Sequence, residues 1–396
     1  MKRQKRKDTL EVEKKNVLIF SSVHVWSDTR IYNKEAMSLV KQGWHVDLVA
    51  VEGTELMKKL PDFLTVRTLP KGSKLSRLKR WWKLYIIVLK SNAAIYHFHD
   101  PELLFLVPII KRKKTSSQLI FDMHELMPAM LLTKEWIPKL LRRPMSNCAK
   151  WLEKKWLPLC DAIIFAEKSY CQHYPQLVGK TVEILNYPLW ETNITKKKEE
   201  VFTFIYVGDI VIDRGIMTML TLMKTLKNRG HHLIHLSLIG PISTKLKKQV
   251  LDFIKLNGLT DIVVLHGRIP YKEIWEHYAS ADIGLCLLHP IPNYQQSLAT
   301  KLFEYMAAGL PILATDIPMW EDLIRDTDTG LTVNNWNDMD VADKAEALMN
   351  DANMRLRFSI NGRREFDTTY NWRTEEIKLF ELYNKLEKCS NVDSSD

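Results

Sequence analysis

The 396-residue chain has no apolar run long enough to cross a bilayer. Its longest, LLFLVPII at residues 103–110, has eight residues and includes a proline, whereas a spanning helix needs roughly 18. The opening stretch MKRQKRKDTLEVEKK is charged and leads into no apolar signal segment, so a cytoplasmic chain is expected. Cysteine is sparse. Cys148, Cys160, Cys171, Cys286 and Cys389 are scattered, odd in number and without a CxxC pair, which excludes a disulfide framework and a zinc ribbon and leaves free thiols. There is no internal repeat, and no low-complexity tract beyond the tails.

What is present fits an ordinary globular protein, 46% hydrophobic and 26% charged. At 396 residues it is too long for one core and fits two domains of under about 200 residues each. The net charge of +10 is unevenly placed: residues 1–190 carry 33 Lys and Arg against 18 Asp and Glu, and the remainder 24 against 29. A basic first half suggests an anionic partner, either nucleic acid or an acidic membrane surface. No nucleic-acid recognition motif accompanies the charge, so nucleic acid is not expected.

Apolar strands alternate with helical spacing along the whole chain. NVLIFSS, the loop VHVWSDTR, the helix IYNKEAMSLVKQ ended by Gly43, and WHVDLVAV form one strand–helix–strand unit, which implies a parallel sheet. AIYHFHD, SQLIFDMH, CDAIIFAE and VEILNY continue it. A second series opens with TFIYVGD and runs through LIHLSLIG, IVVLHG, IGLCLL, PILAT and LTV. The expectation is an α/β chain of two tandem doubly wound, Rossmann-like domains facing a cleft, with ligands beyond the carboxyl ends of the strands. The expected division is a basic tail at 1–15, a first domain at 16–190 and a linker at 191–200. A second domain at 201–365, a helical segment at 366–388 and a tail at 389–396 complete it.

The most informative stretch is residues 294–316, YQQSLATKLFEYMAAGLPILATD. A helix stopped by Gly309 and followed by Pro311 is a well-marked boundary, because glycine tolerates the left-handed cap and proline cannot continue the turn. Glu304 sits among Leu302, Phe303, Tyr305 and Met306. A charge held against a buried surface costs free energy unless something hydrogen-bonds to it, and a ligand is one such partner.

This segment resembles the carboxy-terminal signature of glycosyltransferase family 4, retaining GT-B enzymes that use nucleotide-activated sugars. The usual signature is Glu-x7-Glu before an AMACGLPVI-like run; here Glu304 is the second Glu, and Gln296 stands at the first. SDTRIYNKEAMSLVKQGWHV, HDPELL and FDMHE resemble the family's first-domain strand ends. The resemblance implies His124 beside the donor sugar and Gln296 facing it as the catalytic pair. It implies a donor site of Glu304 on the ribose, Arg214 and Lys301 on the diphosphate, the N–H groups of Leu298 and Ala299, and Gly208 at the strand end. Asp209 replaces the family's first cation, which makes Lys301 the candidate for the missing charge. Arg30, His99, Asp100 and Glu125 are expected on the acceptor side or in the cleft. The final helix is expected to cross back to the first domain.

The implied activity is transfer of a sugar from a nucleoside-diphosphate sugar, with retention, to a glycan or lipid-linked acceptor in cell-surface polysaccharide synthesis. A GT-B sugar-nucleotide epimerase and a degenerate nucleotide-sugar-binding protein are the alternatives. No metal cofactor is expected. His97, His99, Asp100, His124 and Glu125 have imidazole and carboxylate groups suited to zinc or iron, yet alternation along a strand puts His97 and His99 on one face and Asp100 off it. The Asp-x-Asp pairs 326–328 and 338–340 fall in polar turns. Residues 71–90 hold seven basic residues and no acidic one, and they read as a basic amphipathic helix touching an anionic membrane through Lys79, Arg80, Trp81 and Trp82. The expected location is therefore the inner face of a membrane.

Overall fold

The computed structural model of the chain describes residues 15–53, 59–72, 76–134, 137–190 and 200–392. The chain divides into two units, one reaching to Asn186 and resuming at Glu375, the other Tyr187–Thr374.

In the first unit the strands are β1 (Asn16–Val25), β2 (His45–Val51), β3 (Leu64–Leu69), β4 (Ile95–Phe98), β5 (Gln118–Met123), β6 (Ala162–Phe165) and β7 (Thr181–Glu183). They form one sheet in the order β3-β2-β1-β4-β5-β6-β7, parallel throughout. Val17–Phe20 are fully buried, as expected of a central strand covered by helices on both faces. The chain steps one way from β1 and the other way from β4, so the ligand-binding end of this sheet is where the carboxyl ends of β1 and β4 part. One face packs Leu18, Phe20, Phe98 and Phe121 against Leu84 and Val88 of the helix Ser76–Lys90.

The second unit repeats the plan with β8 (Phe202–Val207), β9 (Ile234–Ile239), β10 (Val263–Gly267), β11 (Ile283–Cys286), β12 (Ile312–Thr315) and β13 (Gly330–Val333). Their order is β10-β9-β8-β11-β12-β13, again parallel. The switch in direction falls between β8 and β11. Gly284 on β11 is there for close packing, since a Cβ would strike the ring of Tyr305.

The structure departs from the expected elements in a few places. Edge strand β3 lies where no strand is expected, in a segment buried only at its two ends. The helix after β1 opens as a π-helical stretch, Thr29–Ala36, before the short α-helix Met37–Lys41. The second unit begins at Tyr187, earlier than the expected 201. Aromatic packing explains the shift: Tyr187 lies 4.7 Å from the Phe303 ring and 5.4 Å from Tyr370, and Trp190 lies 4.5 Å from Trp275. The expected linker falls almost wholly outside the described residues. From Glu375, the helix Trp372–Val392 belongs to the first unit. There the Glu375 carboxylate accepts the Leu185 N–H at 2.8 Å.

Candidate active site

In the second unit, three polar groups converge where β8 ends. Gly208 follows the strand with φ +148°, and a Cβ placed there would meet Lys301 Cε at 2.8 Å, the Tyr206 hydroxyl at 3.0 Å and Arg214 Nη1 at 3.2 Å. Only glycine leaves that space open. Arg214 precedes Gly215, whose φ of +78° starts the helix Ile216–Asn228, and a Cβ on Gly215 would run into the Leu287 carbonyl. The Tyr294 hydroxyl stands 3.4 Å from Arg214 Nε. Together Tyr206, Arg214, Tyr294, Ala299, Thr300 and Lys301 line a pocket of about 150 Å³.

The floor of this pocket is the start of the helix Thr300–Ala308. Its N-cap is Ala299, which supplies no side-chain acceptor; the Leu302 N–H donates to the Ala299 carbonyl at 3.0 Å, which leaves the N–H groups of Thr300 and Lys301 and the positive end of the helix dipole for an anion. Gly309 ends the helix at φ +62°, in the left-handed cap expected from sequence. Glu304 lies one turn in from Lys301, with 3.6 Å between Nζ and Oε2, and its Oε2 accepts the buried Tyr278 hydroxyl at 2.7 Å. The expected sugar-facing residue, Gln296, is exposed just after the short helix Pro292–Gln295. Leu298 and Ala299 are half-buried in the loop between. Asp209 is mostly exposed, its Oδ2 3.9 Å from Arg214 Nη1.

The first unit gathers a different chemistry at the ends of β1, β4 and β5. Arg30 donates from Nε and Nη2 to both oxygens of Asp122, at 2.8 and 3.1 Å, and from Nη2 to the Ile184 carbonyl at 2.9 Å. Its Nε is also 3.0 Å from Glu35 Oε1. Asp122 Oδ2 lies 3.3 Å from both His99 Nδ1 and His124 Nε2, and those two nitrogens are 3.1 Å apart. His97 and His99 stack at 4.7 Å on one face, as alternation requires. His97 Nδ1 is 2.8 Å from the Tyr383 hydroxyl.

Arg30, Glu35, His97, His99 and Asp122 are all buried, so their charges must nearly cancel. Burial and the neighbouring Asp122 push the Glu35 carboxyl far up, against the pull of Arg30. Burial alone would raise Asp122, but Arg30 and His124 hold it well below the usual carboxylate range. Burial lowers His97 and His99, leaving both neutral. Glu35, His97, His99 and Asp122 offer ligand atoms within 4.8 Å of one another. In that set Arg30 already lies against both carboxylates and supplies the positive charge.

Arg30, His99 and Asp100, expected on the acceptor side or in the cleft, are buried, with exposures of 3%, 1% and 3%. Asp100 accepts from the hydroxyls of Ser21 and Ser22 and from the N–H groups of Ser22 and Val23, which fastens the end of β1. Arg30 and His99 form the wall behind His124. His124 itself keeps a fifth of its side chain exposed, Glu125 is exposed, and the His24 ring packs tilted against His124, centroids 5.4 Å apart. Burial opposes a charge on His24, but Asp28 at 3.4 Å and Asp100 at 3.6 Å outweigh it and raise the imidazole to about 9. Sequence reasoning missed His24, Glu35, Asp122, Tyr206, Tyr278 and Tyr294. Asp122 had a visible signal, two residues before His124 on a strand. A recess of about 780 Å³ at the opposite, amino ends of β1–β3 includes Asn16, His45 and Phe63. In parallel sheets of this type ligands gather at the carboxyl ends instead.

The membrane residues are likewise corrected in part. Arg80 is buried, in line with Leu84 and Val88 on the inner face of its helix. Trp81 is half-buried and donates its indole N–H to Glu102 at 2.9 Å. Lys79 is exposed, and so is Trp82, at 64%. No helix of the described residues is long and apolar enough to cross a membrane.

Comparison with known proteins agrees with this architecture. Residues 35–181 match Glycosyltransferase Family 4, and residues 191–365 match Glycosyl transferases group 1. The chain is 24% identical over 190 residues to the capsular polysaccharide biosynthesis glycosyltransferase CapM of Staphylococcus aureus, covering 48% of this chain and 47% of that one. It thus spans about half the length of that relative. Among solved structures, sucrose-phosphate synthase from Thermosynechococcus elongatus superposes with a TM-score of 0.72 at 16% identity, covering 95% of this chain and all of that one. HepE of Anabaena, solved with UDP-glucose, gives 0.69 at 12% identity, covering 93% and 99%. With glycosyltransferase families matched over residues 35–181 and 191–365 and these structures superposing over nearly the whole chain, the chain belongs to the glycosyltransferases resembling family 4, with the GT-B fold.

Proposed function

We propose that the protein transfers a sugar from a nucleoside-diphosphate sugar to a lipid-linked or glycan acceptor, with retention of configuration, at the cytoplasmic face of a membrane. The observation that carries the donor half is the opening over Gly208, where Lys301, Arg214 and Tyr206 meet above an uncapped helix start. Two cations and free backbone N–H groups suit a diphosphate leaving group, whose charge grows as the glycosidic bond breaks. Glu304, which also accepts from the Tyr278 hydroxyl, takes the ribose hydroxyls in this reading. His124, held by His99 and Asp122, is the group for the sugar itself, and Gln296 offers an amide that both donates and accepts. No metal is required of this scheme, because Arg214 and Lys301 neutralise the phosphates.

The choice of diphosphate sugar draws on HepE, which was solved with UDP-glucose, and the choice of a cell-surface product on CapM, named for capsular polysaccharide biosynthesis. Thermal protection of the purified protein by a panel of nucleotide sugars tests the donor half. One nucleotide should raise the melting temperature, and the free nucleoside diphosphate should retain much of the effect. Absence of protection by every member of the panel would defeat the reading.

A further inference from the structure

Three buried atoms of the first unit converge without a hydrogen-bond partner. His97 lies on β4 and His99 just beyond it; two residues apart, their rings share one face of the strand and stack at 4.7 Å. His97 Nδ1 is taken by the Tyr383 hydroxyl at 2.8 Å, and His99 Nδ1 lies 3.3 Å from Asp122 Oδ2 and 3.1 Å from His124 Nε2. The other ring nitrogens, the two Nε2 atoms, lie 3.9 and 3.5 Å from Glu35 Oε2. None of these three atoms has a hydrogen-bond partner among the described residues, and Glu35, His97 and His99 are at most 1% exposed.

Orphaned polar atoms at this depth cost free energy and call for a partner. A hydrogen bond from a carboxylic acid needs its acceptor within about 3 Å, so a proton on Glu35 Oε2 reaches neither imidazole. A proton shared by the Glu35 and Asp122 carboxyls would satisfy one Glu35 oxygen and still leave both nitrogens bare. Arg30 is engaged elsewhere, with two hydrogen bonds to Asp122 and a contact to Glu35 through Oε1. A metal ion would meet all three atoms at once. Zinc bonds of about 2.0–2.2 Å at tetrahedral angles set ligand atoms roughly 3.3–3.6 Å apart, which matches the 3.5 Å separation and falls slightly inside the 3.9 Å one. A metal-bound imidazole keeps its other N–H on an oxygen acceptor, and Asp122 and Tyr383 stand in those places. Glu35 is carried by the π-helical stretch Thr29–Ala36, a backbone form frequent at functional sites.

We propose that Glu35, His97 and His99 hold a zinc ion through Oε2 and the two Nε2 atoms, pinning the π-helical stretch to the end of β4. Two imidazoles and one carboxylate also suit ferrous iron, but such iron works through open positions that reagents reach, and residues this buried give no access. Ionised Glu35 and Asp122 exceed Arg30 by one negative charge, which a zinc ion carrying hydroxide in its fourth position cancels. The ion takes no part in the transfer proposed above, where Arg214 and Lys301 meet the phosphates. Metal content is read without a sugar donor, so either proposal can fail without the other.

The full chain is isolated from cells supplied with zinc and iron, washed briefly with EDTA to strip surface metal, and its transition metals are counted by inductively coupled plasma mass spectrometry. Its melting temperature is then compared in excess zinc and in excess EDTA. Wild type should carry about one zinc per chain and melt lower in EDTA, which captures the ion as the chain unfolds. Glu35→Gln, which keeps the shape of the side chain, and His97→Asn should each carry less than about a tenth of that zinc and melt at one temperature in both solutions. Tyr383→Phe leaves all three ligands in place and should weaken zinc retention by roughly tenfold to a hundredfold. Wild type without zinc, iron in its place, equal melting of wild type in zinc and EDTA, or zinc kept by both ligand variants would each overturn the proposal.

Discussion

The Tyr383 hydroxyl lies 2.8 Å from Nδ1 of His97, joining the C-terminal helix to β4 across 286 residues of sequence. Both groups are fully buried. Behind His97 stand His99, Glu35, Asp122 and Arg30, so this phenol closes the far end of the polar core that positions His124.

Tyr383→Phe keeps the ring and removes the partner of a buried imidazole nitrogen. Leaving such a group unsatisfied costs about 1–3 kcal/mol. Urea unfolding should show a lowered midpoint with an unchanged slope, and wild-type stability in the variant would mean that the contact carries no free energy.

The pair of His24 with Asp28 and Asp100 makes stability depend on pH in a predictable direction. His24 titrates at about 9 in the folded protein and at 6.5 in a free chain. Its contribution is fully present below 6.5, and it is lost as pH rises through about 9, because in that window the folded protein holds a proton that the unfolded chain has released. The stability difference between wild type and His24→Asn should therefore shrink from about pH 6 to about pH 10. A constant difference would show that the carboxylates do not hold the charge.

Gly208→Ala tests the opening over the donor pocket. The added methyl would sit 2.8 Å from Lys301 Cε and 3.2 Å from Arg214 Nη1, at a φ of +148° that disfavours alanine. Displacing both cations should weaken nucleoside-diphosphate binding by roughly tenfold or more, since hydrogen bonds to charged groups contribute about 1.5–3 kcal/mol each. Isothermal titration at matched stability reads this directly, and unchanged affinity would place the diphosphate elsewhere.

Much of this architecture could be read from the chain, for reasons visible in particular residues. Continuous apolar runs such as NVLIF and AIIF are what a strand buried on both faces must be, and Gly309 with Pro311 marked a helix end by stereochemistry alone. Gly208 and Arg214 could be picked out because they sit at a strand end and a helix start close in sequence, whereas Tyr206 and Tyr294, which line the same pocket, carry no such mark. The polar core was not, since Glu35, His97, Asp122 and Tyr383 come from four separate segments and only folding brings them together. Arg80 was misplaced although the signal was there. It shares a helical face with Leu84 and Val88, and that spacing outweighs the preference of a lone charge for solvent. The early start of the second unit rests on Tyr187 and Trp190, whose ring partners Phe303, Tyr370 and Trp275 lie more than 80 residues away.

The most direct measurement is transfer itself: the nucleotide sugar that protects the protein is supplied with a lipid-linked acceptor, turnover is followed by mass spectrometry, and the anomeric configuration of the product is read by NMR. Wild type should form a product of retained configuration. Arg214→Ala and Lys301→Ala should each lower turnover by roughly 10²–10³, the scale for removing a group that stabilises developing charge, while Gln296→Glu remains active. Release of a free, epimerised sugar nucleotide, or full turnover in both cation variants, would contradict the assignment.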